Sequence, residues 1–297
     1  MKYLSIFIIF ISLNIQAQLN TFDMPYQSPL LFNPAFTGLS DFGRVKLNFQ
    51  NEFRNKIKKT YESYDIYVGK LHGGLGFYHT GKYIFTGQNY LSTNSYSLNY
   101  SYQGKIKQKW DYSVGANVTY SNSKTKNLTP YYSTNSNGNT VVTYDKPTTT
   151  TTGKPVLNGN LGGIIYSDKL FFGVSVHNIA KDAELVYKSF IGYTFELSSG
   201  FIITPSLTYR TFNFNFTEFD FSIMSQYKNM RLGGRIGTYY YSFQAGYELS
   251  KFNLIYSFSD YYKSNISNYR FSHQITLQLN IPNKIDRKSN AFTHLLY

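Results

Sequence analysis

The sequence predicts an all-β protein, a transmembrane antiparallel β-barrel of about 14 strands, from three observations. Residues 271–281 alternate apolar and polar side chains, which places the two kinds on opposite faces of a strand. The same alternation recurs along the chain, with turn residues between the copies. Aromatic residues make up 19% of the chain, with 30 Tyr and 25 Phe, and tyrosine favours the boundary between lipid and water. A closed sheet that is apolar outside and polar inside accounts for all three.

The first 17 residues predict a signal peptide that is removed on export. Lys2 precedes a short apolar run, and the small residue Ala17 precedes Gln18, where the mature chain would begin. After this run no apolar stretch is long enough to cross a membrane as a helix. A helical membrane protein is therefore excluded, and the exported chain would be inserted in the outer membrane.

Residues 18–41 predict a short N-terminal plug-like segment rather than a strand. Pro25, Pro29 and Pro34 forbid a long helix or a central strand. The side chains at positions 30, 31, 32 and 36 are too apolar for a solvated tail, so we expect them to pack at the periplasmic end of the barrel lumen. The residues assigned to this lumen segment are Gln27, Phe32, Asn33, Pro34, Ala35 and Gly38.

Residues 42–281 predict the barrel itself, followed by a periplasmic tail at 282–297. The segments 96–102 and 110–120 show the clearest alternation, with aromatic residues at both ends of an apolar band. In the run 73–78, glycines permit a close backbone approach or a bend. An even strand count places both termini on the side of the short turns, the periplasm.

Residues 121–155 interrupt the alternation with Asn, Ser, Thr, Gly and Lys. Such a composition cannot bury a core and predicts a long, mobile surface loop outside the cell. A loop of this kind is either a contact site for a surface partner or a segment that only tolerates variation.

Charged residues of both signs lie on the polar face of the predicted strands. They favour cross-bracing of the wall and contacts with the plug-like segment, whereas a selective channel would show one dominant sign. We expect Asn33 and the free backbone groups of the segment to bond with wall residues such as Arg231, Arg235 or Glu248. The predicted lumen-facing charges are Arg44, Asp65, Arg210, Glu218, Asp220, Arg231, Arg235 and Glu248, and Lys46, Glu52, Asp111 and Glu196 share the same face.

Other function classes find little support in the sequence. The formal charge of +13 comes from scattered Lys and Arg, which favours anionic lipid headgroups over nucleic acid. The chain has no cysteine, and its five histidines lack metal-ligand spacing. Glu218 and Asp220 share a face, but no nucleophile accompanies them, and no Gly-x-Ser-x-Gly motif occurs. We therefore expect no enzyme activity, metal or cofactor.

Four motifs resemble the PorP/SprF family of outer-membrane proteins of the type IX secretion system in Bacteroidetes. Phe36 and Thr37 stand where the family often has Tyr and Ala. The four motifs are Gln27 with Phe32-Asn-Pro-Ala-Phe-Thr-Gly38, Gly73-Gly-Leu-Gly-Phe77, Phe172-Gly-Val-Ser-Val-His-Asn178 and Ser272-His-Gln-Ile-Thr-Leu277.

The resemblance implies a non-enzymatic role in type IX secretion or gliding. Members of such a family assist the export and surface anchoring of a large adhesin-like protein through its C-terminal domain, and they connect to periplasmic components of the machinery. The implied partners are this secreted protein, those components and outer-membrane lipid. Two alternatives stay open: a FadL-like transporter of hydrophobic small molecules, which shares the Asn-Pro-Ala opening, and a general diffusion porin.

Overall fold

The computed structural model describes residues 25–52, 57–86, 89–107, 109–134, 140–180, 184–197, 200–212, 216–249, 251–262 and 271–283. The predicted signal peptide, the first seven residues of the plug-like segment and residues 284–297 of the predicted tail lie outside these ranges. Within the described ranges, no helix is both long and apolar enough to cross a membrane.

The structure confirms the prediction of a 14-stranded antiparallel barrel. Each wall strand pairs with the next one along the chain, and the last pairs with the first, which closes the sheet. The wall strands are β1 (Phe42–Glu52), β2 (Ile57–Val68), β3 (Gly73–Thr86), β4 (Asn89–Ile106), β5 (Trp110–Thr134), β7 (Val156–Tyr166), β8 (Leu170–His177), β9 (Val186–Tyr193), β11 (Phe201–Phe212), β12 (Phe216–Tyr227), β13 (Met230–Gly237), β14 (Tyr240–Leu249), β15 (Phe252–Tyr261) and β16 (Phe271–Pro282).

The alternation of the sequence becomes the two faces of the wall. On β16, Leu277 is 49% exposed on the outer face, whereas its neighbour Gln278 is 1% exposed in the lumen. Outward side chains meet lipid, so apolar residues are stable there, and inward side chains meet one another. Strand register therefore determines which residues can form a site inside the barrel.

The barrel has two rims, which we name by the chain. At the terminal rim, β1 begins and β16 ends, and the connections include a 3-10 turn at Gly69–Leu71 and short turns at 167–169 and 228–229. At the loop rim, β8 and β9 are joined by residues 178–185, and β15 and β16 by residues 262–270.

The prediction of a loop at residues 121–155 is wrong for most of that range. Strand β5 continues to Thr134, far beyond the wall, and β6 (Thr140–Thr152) pairs with its extension in an antiparallel hairpin. Backbone pairing needs no apolar core, and threonine favours extended backbone, so this polar sequence can form strands outside the membrane. A two-residue strand, β10 (Phe195–Glu196), pairs only with β11 at the terminal rim.

Candidate functional site

The candidate site is the lumen of the barrel together with residues 25–41, which we call the lumen segment. The segment consists of three short turns, a 3-10 turn at Pro25–Gln27, a helical turn at Pro29–Phe32 and a 3-10 turn at Pro34–Phe36. Each turn begins with a proline, whose fixed φ suits the first helical position and whose missing N–H costs nothing there. The segment therefore folds back on itself within the lumen instead of joining the sheet.

Asn33 caps the last turn of the segment, and Gly38 turns the chain toward the first strand. The N–H of Ala35 donates to Oδ1 of Asn33 at 2.9 Å, which caps the last turn. Gly38 has φ of +64°, a backbone conformation that residues with a Cβ rarely adopt, and it turns the chain toward β1. The Asn-Pro and Gly positions of the motif are thus required by backbone geometry.

Wall side chains satisfy the backbone carbonyls of the lumen segment, which water would otherwise have to solvate. Donors from five strands, β1, β4, β5, β8 and β9, take part, so the segment is bonded around much of the wall. The pairs are Lys46 to Tyr26 O at 3.2 Å, Lys188 to Leu31 O at 3.5 Å, Ser175 and His177 to Phe32 O at 3.3 and 3.0 Å, Ser113 to Ala35 O at 2.7 Å, Arg44 to Phe36 O at 3.2 Å, and Ser101 and Gln103 to Thr37 O at 2.6 and 2.9 Å.

Gln27 bonds to three further strands, β14, β15 and β16. Its amide donates to Gln244 on β14 at 2.9 Å and to Ser257 on β15 at 2.7 Å. Its carbonyl oxygen accepts from Thr276 on β16 at 2.8 Å and also from Gln274. One buried glutamine therefore bonds β14 and β15 through its donor and β16, which pairs with β1 to close the barrel, through its acceptor.

Four wall glycines, Gly74, Gly76, Gly115 and Gly162, receive the other end of the segment, and we call them the glycine surface. A Cβ on Gly115 would lie 2.5 Å from the backbone of Pro34 and Ala35. On Gly162 it would lie closer than 3.0 Å to Oδ1 of Asn33, and on Gly74 it would meet the backbone of the segment. The close backbone approach expected of the run 73–78 is found at Gly74.

An apolar cluster fills the lumen beside the segment. Phe190 stacks on Phe36 at a centroid distance of 5.5 Å and contacts Phe32 at 5.4 Å. Tyr26 contacts all three rings edge-on, and burial raises the pKa of its phenol. The buried members are Leu30, Phe32, Ala35, Phe36 and Leu39 from the segment and Tyr61, Tyr78, Ile164, Tyr166, Phe171 and Phe190 from the wall.

Arg44 and Asp65 join the segment to neighbouring strands. The guanidinium of Arg44 binds both carboxylate oxygens of Asp65, at 3.0 and 2.7 Å, and neither residue is more than 1% exposed. The same carboxylate accepts the N–H of Gly38 at 2.7 Å, while Arg44 donates to Phe36 O. The pair therefore braces β1 against β2 and holds the C-terminal end of the segment.

The remaining predicted lumen charges form two groups in the wall. Arg210 pairs with Glu218 at 3.0 Å and with Asp220 at 2.9 Å, and Arg235 pairs with the same Asp220. Arg231 pairs with Glu248 at 3.1 Å, nearer the terminal rim. Of the other charges on this face, Lys59 pairs with Glu52 at 2.7 Å, whereas Asp111 is half-buried and Glu196 is exposed at the rim.

The expected partners of Asn33 were wrong. Its amide donates to Val174 O at 3.0 Å, with a longer contact to Gly163 O at 3.5 Å, so it bonds the backbone of β7 and β8. Polarity alone suggested charged partners, but the glycine surface lets the segment reach the wall backbone itself.

Sequence reasoning also missed the inward aromatic residues. Phe171 and Phe190 lie at positions whose alternate neighbours are polar or glycine, and each ring covers a cross-strand glycine, Gly192 and Gly173 respectively. The available signal was that Phe171 and Phe172 are both apolar, so one of the two has to face the lumen. Within the described ranges, no cluster of His, Asp and Glu could hold a metal ion.

The profile of the family described as type IX secretion system membrane protein PorP/SprF matches residues 14–279. No curated protein sequence matches the chain.

Among solved structures, the CymD monoaromatic hydrocarbon channel superposes with a TM-score of 0.54 at 12% identity, covering 91% of this chain and 96% of that chain. A Pseudomonas aeruginosa FadL homologue gives 0.50 at 7% identity, covering 85% and 94%. CdiB from Acinetobacter baumannii gives 0.45 at 9% identity, covering 80% of this chain and only 59% of that chain. At these identities the likeness concerns the barrel fold alone.

Proposed function

The chain belongs to the PorP/SprF family of type IX secretion system membrane proteins, and on that premise we propose that it assists the export and surface anchoring of a large adhesin-like secreted protein. The proposed role is non-enzymatic and includes support of gliding. The secreted protein engages the barrel through its C-terminal domain, and periplasmic components of the same system contact the terminal rim. The barrel fold supports a location in the outer membrane, reached after cleavage of a signal peptide.

The observation that carries this proposal is the packing of the lumen. Described interior residues hold the lumen segment with donors from many strands and with an apolar cluster, where an open porin would have a solvated channel. Such a filled barrel suits an anchoring or gating protein better than an open porin, because the packed segment narrows the pore.

The β5–β6 hairpin supplies a surface for the secreted partner. It extends beyond the wall at the loop rim, which lies outside the cell in the proposed orientation, and its polar strands expose backbone edges above the membrane. A partner strand could pair with such an edge.

Affinity purification from native outer membranes tests the main proposal. The full-length chain with a C-terminal affinity tag should enrich a very large secreted protein, identified by mass spectrometry, together with periplasmic type IX components. Deletion of residues 26–38 should impair surface display of that protein, whereas Gly163→Ala, at an outward position with no atom within 4 Å of the added Cβ, should not. Purification of a correctly folded barrel with no such partner would contradict the proposal. Amino-terminal sequencing of the mature chain should begin at Gln18.

A FadL-like transporter of hydrophobic small molecules is the second candidate. The observation in its favour is the aromatic cluster inside the lumen, which an apolar ligand could contact. Uptake of a labelled hydrocarbon into proteoliposomes at rates well above those of empty vesicles would favour this candidate over the first.

A further inference from the structure

The outer face of β2–β5 carries a group of cations beyond the lipid-facing band. On β5 the outward residues change from apolar to polar along the strand: Val118 is 56% exposed, Tyr120 follows it, and Asn122 and Lys124 come next. Tyr120 is paired with Tyr96 on β4, and outward tyrosines of this kind mark the boundary between hydrocarbon and headgroups. Residues farther toward the loop rim therefore lie at headgroup level.

Two strands away the change from apolar to polar outward side chains falls in the same register row. On β2 and β3 the outward pair Tyr64 and Phe77 is followed by Glu62 and His79. The carboxylate of Glu62 contacts Nδ1 of His79 at 2.6 Å, so the only outward carboxylate described in this sector already has a partner. Beyond this pair the described side chains of the sector carry positive charge only.

These residues form what we call the basic–aromatic patch: Lys58, Tyr83, Phe85, Tyr90, Lys124 and Lys126. Lys58 and Lys124 lie in the same register row, joined through Tyr83 on β3 and Ser92 on β4. Three strand spacings separate the two lysines, about 14 Å. Lys126 lies in the next row, with its ammonium 5.9 Å from the centroid of Tyr90, which also packs against Tyr83 and Phe85.

Among the side chains that the structure describes, no other part of the outer face toward the loop rim combines lysines with aromatic rings. On the opposite side of the barrel, Tyr241 donates to Asp260 at 2.8 Å, which leaves that sector with an anion. The remaining exposed strand or turn lysines, such as Lys105, Lys109 and Lys169, lie at the terminal rim. Among the described wall residues, the positive charge on the outer face toward the loop rim therefore lies on β2 and β5, with the aromatic residues of β3 and β4 between them.

We propose that the basic–aromatic patch binds the phosphorylated headgroup of a glycolipid in the outer leaflet. Spaced lysines offer ammonium donors to phosphate groups, and the rings provide amphipathic surfaces at the depth where lipid headgroups begin. The position directly above the lipid-facing band favours a membrane lipid over a soluble anion, because the headgroup reaches the patch while its acyl chains stay against the wall. Binding there would fix the hairpin side of the barrel in the outer leaflet.

Binding of purified lipid A to the full-length mature protein in detergent tests the proposal. The triple variant K58Q/K124Q/K126Q should bind diphosphorylated lipid A about a hundredfold more weakly, since each lysine near an anionic lipid surface contributes about fivefold. Raising the salt concentration should weaken binding to the wild type. The matched control K105Q/K109Q/K169Q removes the same charge from the other rim and should bind like the wild type.

Heat-modifiable gel mobility shows that each variant is folded before binding is measured. Equal loss in both triple variants would show that only net charge matters and would overturn the proposal. Unchanged affinity in K58Q/K124Q/K126Q, or equally tight binding of dephosphorylated lipid A or of phosphatidylglycerol, would overturn it too. The measurement needs no secreted partner, so its outcome is independent of the proposed role in secretion.

Discussion

The side-chain oxygen of Asn33 occupies the space in which any residue other than glycine at position 162 would carry its Cβ. These two residues are far apart in the sequence, yet the Asn-Pro turn and strand β7 fit together only because position 162 is glycine. The next residue, Gly163, points outward and has open space around it.

Substitution of Gly162 by alanine should displace the lumen segment. Overpacking of a close contact costs about 1–3 kcal/mol, and the displaced segment should become accessible to protease. The free energy of unfolding in urea and the rate of amino-terminal cleavage measure both effects. Gly163→Ala is the matched control and should stay within about 0.5 kcal/mol of the wild type. If both variants lost the same free energy of unfolding, the cost would come from replacing any glycine in the strand, and the contact with Asn33 would not explain it.

Loss of the Asp65 carboxylate should destabilise the barrel more than loss of any rim carboxylate. Asp65→Asn leaves the fully buried guanidinium of Arg44 without its paired anion, at a cost of about 3–5 kcal/mol. Glu248→Gln is the control, because the Glu248 side chain is 31% exposed and its pair with Arg231 contributes about 0–1 kcal/mol. Unfolding titrations of both variants give the comparison, and similar values would contradict the bracing role of the Arg44–Asp65 pair.

The cost in stability of an arginine on the outer face should depend on how far its position lies from the middle of the lipid-facing band. From Tyr112 to Tyr120 strand β5 rises about 27 Å along its axis, close to the height of a lipid-facing band once the strand tilt is included. Ala116→Arg, near the middle, should cost about 2–4 kcal/mol, and Asn122→Arg, beyond Tyr120, about 0–1 kcal/mol. Refolding titrations into lipid vesicles measure the difference. A larger cost at position 122 than at position 116 would show that Tyr120 does not mark the boundary of the lipid-facing band.

Removal of the lumen segment should open the barrel. Deletion of residues 26–38 takes away the segment's contribution to the apolar cluster and leaves its wall donors solvated, so single-channel conductance in planar bilayers should rise above that of the wild type. Gly163→Ala serves as the control with unchanged conductance. Wild-type conductance after the deletion would mean that the segment does not restrict the lumen.

Single cysteines test the orientation, because the natural chain has none. Lys154→Cys, in the exposed connection between β6 and β7, should react with a membrane-impermeant maleimide on intact cells. Lys169→Cys, in the turn at the terminal rim, should react only after the outer membrane is permeabilised. The opposite labelling pattern would place the hairpin in the periplasm.

The barrel wall could be predicted from the sequence because its information is local. Alternation along a strand depends only on neighbouring residues, so the lipid-facing set on β16 and the strand count followed from the pattern alone. The prediction of a loop is wrong for most of residues 121–155, where the polar, threonine-rich sequence pairs as a hairpin. A hairpin outside the membrane buries no apolar face. Its strands therefore need no alternation of apolar and polar residues, and the sequence carries no such signal for their pairing.

The class of fold, the apolar outer face and the need of the N-terminal segment for a buried site in the lumen all follow from the amino-acid sequence. Which wall residues the segment contacts there follows only from the three-dimensional structure. Asn33 meets Val174 across 141 positions of sequence, and the glycine surface is assembled from three different strands. Such contacts depend on closure and register of the whole sheet, which bring distant residues to one height in the lumen. Local periodicity determines which face a residue occupies, and closure of the barrel determines which residues it meets there.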